Sequence, residues 1–431
     1  MQENLKREIG TFGLAAAVIN IMVGSGIFVL PALAAEKMGA AAIISFLICG
    51  ALIFLIALCF AEVGSRVAVS GGTYAYIEKA FGPFAGFLAN NVFWFGSCVL
   101  SDAAAANALI KTLAFFLPAI DSPLYRPLFF LLLFGGLAWI NIRGAKQGVR
   151  FIVFMTIAKL LPLLLIVAFG TGNISMENLS WKSSFSFSDI GASCLVLFYA
   201  FLGIETAVTN GGEFKNPART VPLGILSGIS LVLLLYIALQ LVCQGVMGDQ
   251  LLVNKEAPIA ATAGVIFKNA GIVLVVGGTA ISILGSISGE IFAIPRVLYA
   301  GARDSILPKQ LAKTHPKFLT PHIAIIIYSL LGFSFAVFGV LKQLLILSSA
   351  ATLLIYLGVV LAAINLRLNK TGETQKGFTI PGGITVPVIA TIIMIWLLSN
   401  LSKDEIKGSC IFIVALSVIY FLMTLVKKKT I

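Results

Sequence analysis

Apolar stretches of about 20 residues recur along the whole chain, separated by short polar connections. That is the length a helix needs to cross a hydrocarbon layer. The pattern predicts twelve spans, at about 11–36, 41–65, 83–111, 124–143, 150–170, 188–211, 223–247, 271–301, 322–340, 343–367, 380–400 and 408–426. Two loops are longer, around 171–187 and 248–270, and the segment 66–82 reads as amphipathic. The expected fold class is an all-α polytopic membrane protein. Composition agrees: 59% of residues are hydrophobic and 11% charged, and mean hydropathy is +1.03. A soluble domain carries roughly 25% charged residues. No polar block is long enough for a soluble module, so a single membrane domain over 1–431 is expected.

Charge refines this picture without changing it. The net charge of +12 raises the question of nucleic acid, but the basic residues are dispersed among short loops, and no nucleic-acid partner is expected. An even number of spans returns both termini to one side. That side then holds about two-thirds of the lysines and arginines, which predicts cytoplasmic termini. The polar N-terminus, MQENLKREIG, has no small-residue cleavage site and reads as part of the mature chain. Cys49, Cys59, Cys98, Cys194, Cys243 and Cys410 form no CxxC pair and read as small core residues. His315 and His322 show no metal-ligand spacing. No metal or cofactor is expected.

Two spans are interrupted. Residues 21–31 read IMVGSGIFVLP, and 194–217 read CLVLFYAFLGIETAVTNGGEFKNP. Free backbone groups in hydrocarbon cost several kcal/mol, so such breaks belong where protein or an aqueous hollow surrounds them. The first break frees the amides of Ser25, Gly26 and Ile27, which suit a carboxylate. It also frees carbonyls near Met22, which suit an ammonium or a cation. Close packing of small residues is the alternative for Gly-Ser-Gly alone. A matching break around Gly203 and Glu205, in the corresponding position of a second half, points instead to a transporter with its site at a repeat interface. A zwitterion fits both kinds of helix end, so an amino acid is the expected substrate.

In these motifs, with AEVGSRVAVSGGTYAYIEKAFGPFAGF (61–87), EFKNPARTVP (213–222) and PRVLYAGARDSILPKQLAKTHP (295–316), the chain resembles the amino acid–polyamine–organocation superfamily. That superfamily has the LeuT-like fold. The resemblance implies a 5+5 inverted repeat, 1–170 and 188–367, with helices 1 and 6 broken and two peripheral helices in 380–426. It implies that amides of Ser25, Gly26 and Ile27 hold the substrate carboxylate, and that carbonyls of Met22, Tyr199 and Leu202 meet its amino group. Tyr199 and Phe201 would cover the substrate on the outer side, and Phe93 and Glu205 resemble inner-gate residues. Ser101 matches a side-chain contact position.

Ionisable residues inside spans need a purpose. Lys159, in TIAKLLPLLL, lies about 14 Å into its span by helical rise. Desolvation disfavours the ammonium there, so Lys159 is either a proton-coupling group or a fixed structural cation. The resemblance implies that it stands where sodium-driven relatives bind a cation, touching carbonyls before Gly24 and the hydroxyl of Ser282 or Ser286. Glu205 is either an acceptor for freed amides or a gating group. Asp102 and Glu290 are acids facing the expected pocket, where they would favour a cationic side chain. Asp102 and Ser101 are adjacent on one helix, so both facing the pocket is not expected. Alternatively Asp102 pairs with Lys159 or faces an outer vestibule, and Glu290 bonds a neighbouring helix, leaving a neutral substrate.

There is no HExxH, GxSxG or GxxxxGK[ST] motif, so neither an enzyme nor a nucleotide-driven pump is expected. The expected function is a sodium-independent amino acid permease of the plasma membrane, coupled to protons through Lys159. Exchange of neutral amino acids and a substrate-gated channel are the alternatives. Expected partners are the amino acid, protons and membrane lipid, with no obligate protein partner.

Overall fold

The computed structural model describes residues 9–24, 26–28, 30–67, 69, 71–181, 185–255, 257–339, 341–369, 377–399, 401 and 403–429, with the side chains at 145–150, 188, 192, 195, 199, 341–346, 349, 405 and 426–429 outside that description. The chain is helical throughout the described residues. Its helices are α1 (Thr11–Met22), α2 (Leu30–Met38), α3 (Ala42–Arg66), α4 (Thr73–Phe81), α5 (Pro83–Asn91), α6 (Leu100–Ala114), α7 (Tyr125–Arg143), α8 (Ala145–Gly170) and α9 (Phe187–Phe198). The second part of the chain holds α10 (Ile204–Ala207), α11 (Pro217–Met247), α12 (Pro258–Phe267), α13 (Asn269–Arg303), α14 (His322–Phe338), α15 (Leu341–Leu368), α16 (Thr385–Ser399) and α17 (Lys403–Lys429).

Eight helical stretches among the described residues are long and apolar enough to cross a membrane. The twelve segments expected from hydropathy exceed that number for a physical reason. The first and sixth are each split near the middle, so neither half reaches the required length. α14 and α16 have 17 and 15 residues, at and below the lower end of the spanning range.

α1 packs on α11, α13 and α8, and Leu14, Val18 and Met22 along it are buried. Helices further out turn apolar side chains away from the protein. On α7 these include Leu128, Leu131, Leu132 and Trp139, and on α17 Ile411, Val414, Val418 and Leu422. An apolar outer face of this kind suits hydrocarbon, which needs no polar complement.

α5 and α6 form one continuous rod through a π-helical segment, Val92–Val99. Hydropathy alone gave no sign of it. The wider turn changes which side chains share a face immediately before Ser101 and Asp102, and such segments concentrate at functional sites. At the terminal end of α1, Ile9 pairs in parallel with Phe214. The Ile9 amide donates to the Glu213 carbonyl at 3.0 Å, and the Lys215 amide donates back to Ile9 at 3.0 Å. The start of the first broken span and the end of the second are thereby tied to one another.

Candidate functional site

α1 stops at Met22 because the chain turns: the Gly24 amide bonds back to the Met22 carbonyl at 2.8 Å. Carbonyls at a helix end have no intrahelical donor. Here the donors come from two other helices. Lys159 of α8 is fully buried and places its Nζ 2.7 Å from the Asn20 carbonyl, 3.0 Å from the Val23 carbonyl and 3.4 Å from Ser286 Oγ. Ser282 of α13 donates to the Val23 carbonyl at 2.7 Å and lies 3.3 Å from that of Gly24. Ser286 Oγ lies 3.5 Å from the Asn20 carbonyl. Gly285 admits the lysine, since a Cβ there would sit 3.2 Å from Nζ. Lys159, Ser282 and Ser286 thus meet at one helix end, and the ammonium's partners are neutral oxygens.

The second break is held differently. α9 gives way to a tight 3-10 turn, Tyr199–Phe201, before α10 begins at Ile204. Gly203 between them has φ +130°, a conformation that L side chains rarely adopt. The Gly203 amide donates to Glu205 Oε2 at 2.9 Å, and the same carboxylate oxygen accepts the phenol of Tyr356 from α15. Phe201 is fully buried and packs on Tyr236 of α11 with ring centroids 5.2 Å apart. The Tyr236 hydroxyl bridges the two breaks. It lies 2.8 Å from the Met22 carbonyl and 3.2 Å from that of Ala200. With the Gly24 amide also bonded to it, the Met22 carbonyl has both lone pairs engaged.

Between the breaks lies a cavity of about 80 Å³. A single water needs roughly 10–15 Å³ of such space, so the cavity suits a small molecule. Met22, Gly24 and Gly26 line it from the first broken span, and Leu202, Gly203 and Glu205 from the second. Ser97, Ser101 and Asp102, together with Ser286, Glu290, Ser348 and Thr352, complete a wall rich in hydroxyls and carboxyls. Ser101 and Asp102 both line the cavity, contrary to the expectation from a regular α-helix. Ser282 sits behind Gly24. Ile27 and Phe93 are fully buried and, like Phe201, stand outside the lining. Ser25 and the Tyr199 side chain lie outside the described residues.

Asp102 pairs with neither Lys159 nor another cation among the described residues. Its Oδ2 accepts the phenol of Tyr328, from α14, at 2.8 Å. Glu290 Oε2 lies 3.4 Å from the same phenol oxygen, so the two acids share one phenol. A second, larger hollow of about 740 Å³ opens beside α1 towards its terminal end, between Phe12, Ile152, Asn210, Glu213 and Phe292. Ile21 belongs to the wall of both hollows.

Tyr236, Tyr328 and Tyr356 escaped the sequence reading. Each interrupts an aliphatic run, in LLLYIAL, IIIYSLL and LLIYLGV. A phenol at that depth needs a partner, which was the available signal. Among the described residues, no group of three or more histidine, cysteine, aspartate or glutamate side chains is placed to hold a metal ion.

Comparison with known proteins bears on what this arrangement serves. The amino acid permease family model matches residues 9–426. The methylthioribose transporter of Bacillus subtilis (strain 168) is 28% identical over 436 residues, covering 97% of this chain and 94% of the relative. The serine/threonine exchanger SteT of the same organism is 28% identical over 414 residues, with 90% and 89% covered. The b(0,+)-type amino acid transporter 1 of Mus musculus is 26% identical over 441 residues, with 98% and 89% covered. All three are named as transporters or exchangers rather than enzymes.

Proposed function

Because the chain belongs to the amino acid permease family, we propose that it is a secondary amino acid transporter of the plasma membrane that works by alternating access. The observation that carries this reading is the cavity bounded by both helix breaks. A zwitterion there meets opposite helix ends, which differ in the sign of their partial charge. Amides at Ser25, Gly26 and Ile27 receive the carboxylate. The ammonium is received by the carbonyls of Leu202 and Tyr199, and by that of Met22 once a present donor is displaced. Ser101 and Glu290 contact the side chain. Tyr199 and Phe201 act as the outer gate, and Phe93 and Glu205 as the inner one.

The architecture we infer has twelve crossings, with both termini cytoplasmic. Repeats 1–170 and 188–367 are inverted with respect to each other, and two peripheral helices follow in 380–426. The backbone pairing of Ile9 with residues 213–215 supports movement of the two broken spans as one body. Substrate bridging the breaks favours occlusion, and that body then rocks against the remaining helices. Lys159 occupies the position of a coupling cation with Ser282 and Ser286, so transport is sodium-independent. Loss and gain of its proton is the coupling step.

Exchange is the second reading, and the named activity of SteT favours it. The wall of hydroxyls and carboxyls also suits a polyhydroxyl ligand, which gives weight to the methylthioribose relative. One experiment tests the substrate assignment. Purified protein is heated with a panel of amino acids, polyamines and methylthioribose at two pH values. A ligand at 100 times its Kd raises stability by about 2.7 kcal/mol. Stabilisation by amino acids is expected. Stabilisation by methylthioribose alone would overturn the substrate assignment.

A further inference from the structure

We propose that Asp102, Glu290 and Tyr328 form a proton-holding subsite for the substrate's side chain, which gives up one proton when a cationic side chain enters and keeps it when a neutral one does. The inference rests on the transporter reading and specifies the chemistry of the same cavity.

Tyr328 has one O–H. Its oxygen lies 2.8 Å from Asp102 Oδ2 and 3.4 Å from Glu290 Oε2. If the phenol donates to Asp102, the contact with Glu290 is a hydrogen bond only if Glu290 supplies the hydrogen. Ionised carboxylates only accept, so with both acids ionised a single phenol hydrogen would have to serve two carboxylates at once. The cluster therefore holds a proton.

The surroundings offer no substitute for it. The other titratable groups facing the pair are Glu205 from α10 and Cys98 from the π-helical segment. Neither is a cation. Lys159 of α8 directs its ammonium to the carbonyls of the first break. Asp102 is 2% exposed, and two carboxylates at such a site repel strongly without a counter-charge. Both acids nevertheless line the cavity, within reach of whatever occupies it.

A lysine-like ammonium or a guanidinium entering here supplies both hydrogen-bond donors and positive charge. The carboxyl O–H bond then breaks, the electron pair stays on the oxygen, and the proton passes to solvent water. The charge of the cluster with its occupant is unchanged. A neutral side chain brings no such compensation, so the proton remains.

The test uses purified full-length protein and isothermal titration with lysine, ornithine, alanine and leucine at about pH 5.5 and about pH 8.5, in buffers of different ionisation heat. Lysine and ornithine are expected to release about one proton each, with affinity rising by up to about tenfold per pH unit. Alanine and leucine are expected to release none. Glu290→Gln is expected to abolish the release and to weaken lysine by more than about tenfold while changing alanine by less than about threefold. Equal weakening of both ligands overturns the subsite. So does cation binding to the unaltered protein with no proton released, a measurement that decides the matter even if the variant does not fold. Binding of alanine or leucine without that release leaves the transporter reading standing. Failure of every amino acid to bind at either pH removes both.

Discussion

The two helix breaks face the same cavity and are stabilised by opposite charges. At the first, the exposed groups are carbonyls at the end of α1, and a cation from another helix serves them. At the second, the exposed group is the Gly203 amide at the start of α10, and a carboxylate two residues on serves it. Each charge matches the partial charge of its helix end. The supports differ in reach. Lys159 connects α1 to α8 and, through Ser286, to α13, whereas Glu205 turns back on its own segment and joins α15 through Tyr356. A change at Lys159 therefore propagates to several helices. A change at Glu205 stays closer to the break.

Lys159→Ala is the most severe way to test that asymmetry. It leaves the Asn20 carbonyl stranded but for a long 3.5 Å contact from the Ser286 hydroxyl, and that of Val23 with Ser282 alone. A stranded buried acceptor costs about 1–3 kcal/mol. In proteoliposomes with an imposed pH gradient, uptake is expected to fall by more than about tenfold, and the remainder is expected to ignore the gradient. Unchanged uptake with an unchanged pH profile would remove the coupling role and leave Lys159 as a structural cation.

The glycines at the two breaks offer a second, smaller contrast. At Gly203, φ is +130°, and an added Cβ would stand 2.6 Å from Ile21 Cγ2 and 3.3 Å from the Ile21 carbonyl carbon. At Gly24 the nearest atom would be Ser286 Oγ at 3.5 Å, an ordinary contact. Gly203→Ala is expected to destabilise by about 2–4 kcal/mol through strain and overlap. Gly24→Ala is expected to cost under about 1 kcal/mol. Denaturation in detergent compares them directly. Equal losses would mean that the backbone shape at the breaks matters less than their packing.

How much of this was legible in the sequence depended on the kind of group involved. Lys159 stood out because TIAKLLPLLL offers a charge at membrane depth no ordinary role, and its meeting with Ser282 and Ser286 follows from the geometry now visible. The two breaks were legible because glycine is costly inside a helix. Which carbonyls the lysine would reach was not legible: backbone oxygens carry no residue label, and Asn20 and Val23 became the acceptors through the turn at Gly24. The π-helical segment was hidden for a related reason. Its sequence, VFWFGSCV, has ordinary apolar character, so Ser101 and Asp102 were assigned by regular α-helical geometry. The tyrosines were overlooked because a phenol among aliphatics reads as core until its oxygen's partner is known.

Tyr236 belongs to both breaks, which makes its hydroxyl the finest probe of how they cooperate. Tyr236→Phe keeps the ring packed on Phe201 and removes one hydrogen bond. The Met22 carbonyl retains the Gly24 amide, and the Ala200 carbonyl loses its phenol contact. The expected loss of stability is about 1 kcal/mol. Ligand binding is expected to move the other way. With the phenol gone, the Met22 carbonyl keeps one lone pair without a donor beside a cavity that Met22 lines, and a substrate ammonium need displace nothing to use it. Amino acid affinity is expected to rise by about two- to fivefold, or roughly 0.4–1 kcal/mol, while the apparent melting temperature of the unliganded protein falls. Weaker binding in this variant would show that the hydroxyl holds the two breaks in register for the ligand, and that Tyr236 is a brace that the occupied site requires.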